Sequence, residues 1–339
     1  MLGLRTLGLL ALSLAAIQAT ELKFNNEFLT PFEIHKLRAM KVSQVKPLED
    51  MSSDARSSNN VIGNVYGGAE GNTSMPFMAY IETYTSQDVP VHQCSGAIVN
   101  ESWILTAAQC FERASYAMVT IGDIDRTSAS AQNFNATKDQ WVIHEKFVYN
   151  GLENDIALIY LNTSITLAGT KKSINFCCPS FFKPKMVMYN STIKVLALGF
   201  GRVEDDPVDP DCPVPAGPSY IFNMAEIPMG NSTAFCRAQL KAHYLKLAST
   251  QVCSNGMLNR TTGAFGPGDS GGPIVVVTPS AATPTPGDVT KTVTNMCVAG
   301  VISLHNYETY KNTFPFTMTD IQGQIPWILK KTKGKAPKC

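Results

Sequence analysis

Eight consecutive residues, Gly266-Pro267-Gly268-Asp269-Ser270-Gly271-Gly272-Pro273, run directly into the apolar stretch Ile274-Val275-Val276-Val277. No other part of the sequence limits the fold as strongly. The glycines free the backbone for a tight turn, which leaves the Ser270 hydroxyl exposed and lets neighbouring N–H groups converge on a developing oxyanion. A bare Gly-x-Ser-x-Gly does not separate a nucleophile loop from a glycine-rich hairpin with an incidental serine; the whole run of eight favours the loop.

At these residues the chain resembles the chymotrypsin/trypsin family of serine proteases. The resemblance implies that Ser270 is the nucleophile, that the N–H groups of Gly268 and Ser270 are the oxyanion donors, and that Asp269 is a buried carboxylate. It continues at His92-Gln93-Cys94-Ser95-Gly96-Ala97-Ile98-Val99, at Trp103-Ile104-Leu105-Thr106-Ala107-Ala108-Gln109-Cys110 and at Asn154-Asp155-Ile156-Ala157-Leu158. Asp155 matches the acid of the family's triad. The general base does not match: the family carries His just before the second of these cysteines, and this chain carries Gln109. Only a group that titrates near neutrality can take the hydroxyl proton and return it to the leaving amine, and a carboxamide has no such pair of states. His92 and His144 occupy positions where the family uses His for structural hydrogen bonds; His35 and His243 lie away from the motifs.

From residue 90 onward the chain consists of short alternating apolar stretches broken by Gly, Pro and Asn, which reads as all-β. The resemblance spans residues 65–331 and implies two antiparallel six-stranded β-barrels with a short C-terminal helix at Pro326-Trp327-Ile328-Leu329-Lys330-Lys331, where Trp327 is expected as a core anchor. Residues 332–339 form a basic tail. Thr278–Gly287, rich in Pro, Thr and Ala, reads as an exposed loop.

Met1–Ala19 has a basic start, an apolar run from Leu7 to Ile17 and a small residue for cleavage, the pattern of a secretory signal peptide and too short for a membrane span. No later run reaches spanning length. Seven Asn-x-Ser/Thr sequons, at Asn72, Asn100, Asn135, Asn162, Asn190, Asn231 and Asn259, and nine cysteines agree with an oxidising, glycosylating route to a secreted, extracellular protein. Residues 20–64 are polar and free of cysteine, and read as a pro-segment or leader with a short amphipathic helix around Glu33–Met40. In the family, cleavage before the residue matching Val65 frees an α-ammonium that pairs with the carboxylate matching Asp269. Here Asn64 precedes Val65 where trypsin-like activation needs Arg or Lys, so an uncleaved linker and a differently processed activation site both remain open.

The resemblance pairs Cys94 with Cys110 and Cys236 with Cys253. Cys177 matches a cysteine that usually ties down the leader, which here has none to offer, and Cys177, Cys178, Cys212, Cys297 and Cys339 are left without an assigned connectivity. Another family disulfide is missing on both sides, with Val195 and Val276 in its place, as expected if apolar packing replaced it. The specificity slot implied by the resemblance has Ala264 as its floor in place of the Asp that selects Lys or Arg. Ser303, His305 and Phe316 form its walls, and the last two should fill much of the slot.

A formal charge of +1 on 339 residues, with 16% charged side chains, gives no footing for nucleic acid as a partner. No phosphate loop, metal-ligand cluster or cofactor motif is present in the sequence. The resulting expectation is a secreted serine protease homologue without peptidase activity, binding protein partners such as active serine proteases or their inhibitors. A divergent endopeptidase using Ser270 and a structural secreted glycoprotein are the alternatives.

Overall fold

Strand Pro273–Val277 is buried from Pro273 to Val276 because it crosses the middle of a sheet, as a continuous apolar run requires. The computed structural model describes residues 69–70, 75–149, 151–177, 194–201, 222–227, 233–242, 246–253, 266, 268–277, 296–304 and 317–336, all within the compact unit Ser57–Cys339. In chain order the strands are β1 (Ala69–Glu70), β2 (Met78–Tyr84), β3 (Pro90–Asn100), β4 (Trp103–Thr106), β5 (Tyr116–Ile121), β6 (Gln132–Thr137), β7 (Trp141–Ile143), β8 (Ala157–Tyr160), β9 (Asn175–Phe176), β10 (Lys194–Gly199) and β11 (Asn223–Glu226). Helix α1 (Thr233–Ala242) follows, then β12 (Gln251–Cys253), β13 (Pro273–Val277), β14 (Met296–Leu304), β15 (Thr317–Asp320) and helix α2 (Ile321–Lys331).

The architecture is the expected all-β two-barrel fold with a short C-terminal helix. The first sheet runs β6-β5-β2-β3-β4-β8-β7 and the second β1-β11-β10-β13-β14-β15-β12, with β9 paired to β14. The described sheets thus have seven and eight strands where six each were expected. Part of the excess is two-residue strands: β1 pairs antiparallel with β11, and β9 lies parallel to β14. Helix α1 was not expected either. Its buried Cys236 and Leu240 stand four residues apart on one face, too short a pattern to stand out in the sequence.

The two sheets share one core, which groups Ile81, Ile98 and Ile104 of the first with Leu198, Val275 and Val301 of the second, together with Phe77 just before β2 and Phe200 just after β10. A smaller cluster in the second sheet contains Val195, Val276, Cys297 and Ile302. Val195 lies directly opposite Val276, and Val276 opposite Cys297. The missing disulfide is therefore replaced by buried apolar packing. Cys297 instead bonds Cys177, a pairing the sequence left open, while Cys94–Cys110 and Cys236–Cys253 form as expected.

Ser95, buried in the middle of β3, joins the two sheets. Its N–H donates to Ser270 O at 2.8 Å and its carbonyl accepts from Thr106 Oγ1 at 2.8 Å. Its hydroxyl donates to Gly268 O and accepts from Phe200 N, both at 2.9 Å. Every polar group of one buried residue is thereby satisfied, from three segments: the 268–270 loop, β4 and the residue after β10.

Asp320 caps α2 by accepting from Gln322 N at 3.1 Å, and Lys330 and Lys331 complement the dipole in its last turn. Trp327, expected as a core anchor, packs against the core but is only half-buried. It lies 4.9 Å from the His144 ring and donates to Glu145 Oε2 at 2.7 Å, because its indole N–H needs a polar partner at the rim of the helix. Lys331 pairs with the other oxygen of Glu145, which holds that carboxyl down at about 2.

Candidate active site

A one-turn 3-10 helix, Ala108–Phe111, presents Gln109, and it is fixed on both sides of that residue. Ala108 and Phe111 are buried, Cys110 is bonded to Cys94, and Cys110 O accepts from Thr83 Oγ1 at 3.1 Å. Gln109 is therefore held where its chain neighbours put it. Its side-chain Nε2 donates to Asp155 Oδ2 at 2.8 Å and to Ser303 O at 2.5 Å, and its backbone N–H donates to Asp155 Oδ1 at 2.9 Å. With both amide hydrogens committed, Oε1 is the remaining polar atom of the side chain, and it can only accept.

Asp155 is completely buried and receives a further hydrogen bond from Ser303 Oγ at 2.6 Å. Burial raises its carboxyl to about 6, and the donors from Ser303, Gln109 and the Ala108 amide hold it from rising further. Ser303, expected as a slot wall, thus places its hydroxyl on the acid and its carbonyl on Gln109. Two supports were missed in the sequence. Asn154, in a left-handed conformation (φ 54°), is pinned by Gln324 Nε2 at 3.1 Å and by its own amide to Lys146 O at 3.0 Å, which sets the direction of the following Asp155. Thr319 Oγ1 donates to Asp155 O at 2.9 Å. The Asn-Asp pair was visible in the sequence, but its partners lie too far along the chain to be inferred.

The nucleophile loop is tightly built. Gly268 adopts φ +100°, which disfavours any residue with a Cβ. At Gly201 a Cβ would come within 2.6 Å of both carboxylate oxygens of Asp269, so the strand end must be bare for the acid to lie there. Asp269 is completely buried and accepts from Gly201 N and Gly266 N, each at 2.8 Å. Burial pushes this carboxyl up to about 7, against the pull of those two amides. The amides of Asp269, Gly271 and Gly272 donate to Gly266 O, Ile302 O and Asp269 O. Ser270 is 6% exposed as a whole residue, because its loop is pressed against β3, where Ser270 O accepts from Ser95 N.

His92 Nε2 is 3.1 Å from Glu112 O, and His144 Nδ1 accepts from Lys146 N at 3.1 Å; burial lowers the pKa of both rings. These are structural hydrogen bonds of the kind expected. Val65, Ala264, His305 and Phe316 lie outside the described residues, as do Cys178, Cys212, Cys339 and the sequons at Asn72, Asn190, Asn231 and Asn259. Of the remaining sequons, Asn135 and Asn162 are exposed and Asn100 is buried. Among the described residues no group of three His, Cys, Asp or Glu side chains could hold a metal, and no helix is long and apolar enough to cross a membrane.

The Trypsin family profile matches residues 65–328. Over 123 residues the chain is 37% identical to U21-ctenitoxin-Pn1a of Phoneutria nigriventer, covering 34% of this chain and 49% of that protein. It is 25% identical over 184 residues to a chymotrypsin of Phaedon cochleariae (54% of this chain, 59% of that protein). With Trypsin-1 of Astacus astacus it shares 23% over 242 residues (70% and 86%). The chain thus spans about half the length of the first two of these relatives. Among solved structures, a collagenase superposes with a TM-score of 0.57 at 18% identity, covering 78% of this chain and 97% of that one; GrC gives 0.58 at 20%, covering 79% and 99%. At such identities the superpositions speak for the fold alone. The profile match over most of the chain makes this protein a member of the trypsin family.

Proposed function

We propose that this chain is a secreted trypsin-family homologue without peptidase activity, which engages protein partners such as active serine proteases or their inhibitors. The observation that carries the reading is the bonding of Gln109. A carboxamide stands beside Asp155, with both of its hydrogens given to Asp155 and Ser303 O. It has no lone pair on nitrogen to accept a proton and no charged form to return one, so it offers the Ser270 hydroxyl no base of suitable pKa. Losing one triad member leaves roughly 10³–10⁴-fold catalysis over water, far below a working protease. Secretion is supported by the leader pattern and by three disulfides, which persist in oxidising compartments.

The test has two arms. The purified protein is treated with a fluorophosphonate probe beside an active trypsin, and it is used as bait in fluid from the secreting tissue. The reading expects no labelling of Ser270 and saturable capture of a protease or inhibitor. Labelling at a rate near that of trypsin would overturn it.

A divergent endopeptidase remains the second reading, favoured by the built nucleophile loop with Gly268 at φ +100° and Asp269 anchored by two amides. Labelling lost in Ser270→Ala would bring it forward.

A further inference from the structure

Three of the sequons have described asparagines, and their surroundings divide them. Asn135 lies on β6, an edge strand of the first sheet, and Asn162 follows β8; both residues are exposed. Asn100 ends β3 and is 6% exposed. Its Oδ1 accepts from Ser102 N at 2.8 Å, and its Nδ2 donates to Lys335 O at 2.9 Å, across 235 positions of sequence. The segment that covers it is itself locked: Thr332 Oγ1 donates to Ile328 O, Ala336 N donates to Thr332 Oγ1, and Ala336 is 4% exposed.

We propose that Asn135 and Asn162 carry N-linked glycans whereas Asn100 must stay unmodified, because its amide nitrogen is the donor on which docking of the segment after α2 depends. The proposal rests on the secretory reading above. N-glycosylation forms a bond from Asn Nδ2 to the anomeric carbon of a lipid-pyrophosphate-linked oligosaccharide; the lipid pyrophosphate leaves and the amide gives up one proton. The substituted nitrogen keeps one hydrogen, so the bond to Lys335 O could survive in principle. The sugar on the other position has no space beside a side chain this buried, and Lys335 and Ala336 would have to lift away. Because Lys335 is made 235 residues after Asn100, the amide is open to the transferase long before its cover arrives. Chains modified at Asn100 are then those that fail to close, and the exported pool is enriched in bare Asn100.

The experiment expresses the full chain behind the leader of another secreted protein, so that it does not depend on this chain's own leader; export with its own leader is a separate test of the secretory reading. Exported protein is treated with peptide-N-glycosidase in heavy-oxygen water, which converts each glycosylated Asn to labelled Asp. Label is expected at positions 135 and 162 and not at 100. Two variants separate the amide from the sequon. Ser102→Ala removes the sequon but keeps the backbone N–H on Asn100 Oδ1, so the melting temperature stays unchanged and export holds or rises as the misclosing fraction disappears. Asn100→Ala removes the donor and lowers the melting temperature by about 2–6 °C. Labelled Asp at 100 in the exported protein would overturn the proposal, as would an export loss in Ser102→Ala equal to that in Asn100→Ala. Absence of label at 135 and 162 would overturn its other half.

Discussion

Gln109 binds both carboxylate oxygens of Asp155, Oδ1 through its backbone N–H at 2.9 Å and Oδ2 through its side chain at 2.8 Å. The pair is neutral donor to buried acceptor, so Gln109→Glu turns an attraction into a repulsion between carboxylates in a water-poor site. The variant should lose about 3 kcal/mol or more of stability at pH 7, with the loss shrinking as the pH falls and one carboxyl takes up a proton. Urea unfolding at pH 7 and pH 5 reads this; equal loss at both would remove the electrostatic explanation.

Restoring the base is not expected to restore the protease. Gln109→His should give no trypsin-like cleavage, because binding and proton transfer are separate defects and Ala264, which the family resemblance puts at the slot floor, would supply no counter-charge for Lys or Arg. Robust hydrolysis of an arginine ester by the single variant would refute the pocket assignment of Ala264, His305 and Phe316.

Asp269 makes the state of the leader measurable. With its carboxyl pushed up to about 7, the folded chain binds the proton more tightly than the unfolded one. Its contribution to stability therefore falls as the pH rises from about 4 to 7, by at most about 1.4 kcal/mol per unit. The mature protein is expected to run uncleaved through Asn64 to Val65 and to show this sign, read as the pH-dependent difference from Asp269→Asn. An α-ammonium on Val65 paired with Asp269 would reverse it, and N-terminal sequencing that began at Val65 would say the same directly.

Removing the Cys177–Cys297 bond should cost more than removing Cys94–Cys110. Their sequence separations are 120 and 16, and the loop-entropy account makes the longer closure worth about 2 kcal/mol more. Paired Cys→Ala variants compared by thermal unfolding and by export test the order.

Ser270→Ala should be quiet by comparison: without a base the hydroxyl is a weak nucleophile, and its loss costs on the order of 1 kcal/mol. A variant that is well folded and exported but no longer captures its partner would show the nucleophile to be in use.

The site was legible where one motif carries one residue: Ser270, Asp155 and the substitution at Gln109 each lie inside a dense local pattern. Legibility ended where the partner is remote and generic. Nothing near Asn100 announces a backbone carbonyl 235 residues away. Cys177 could be seen to lack its usual partner, but the choice of Cys297 among the remaining cysteines needed the parallel register of β9 and β14, which sets residue 297 beside 175. The strand count exceeded expectation partly because two-residue strands such as β1 and β9 leave almost no periodicity to read.

Ser95 spends its amide, carbonyl and hydroxyl on Ser270, Thr106, Gly268 and Phe200. These groups are buried, so the junction orders the backbone beneath the surface and offers no surface of its own to a ligand. Association then carries little entropic penalty on this side, and the ordering cost falls on the partner. Relaxing that anchor, as Ser95→Gly would, should weaken capture through a less favourable binding entropy, while the groups that touch the partner stay the same.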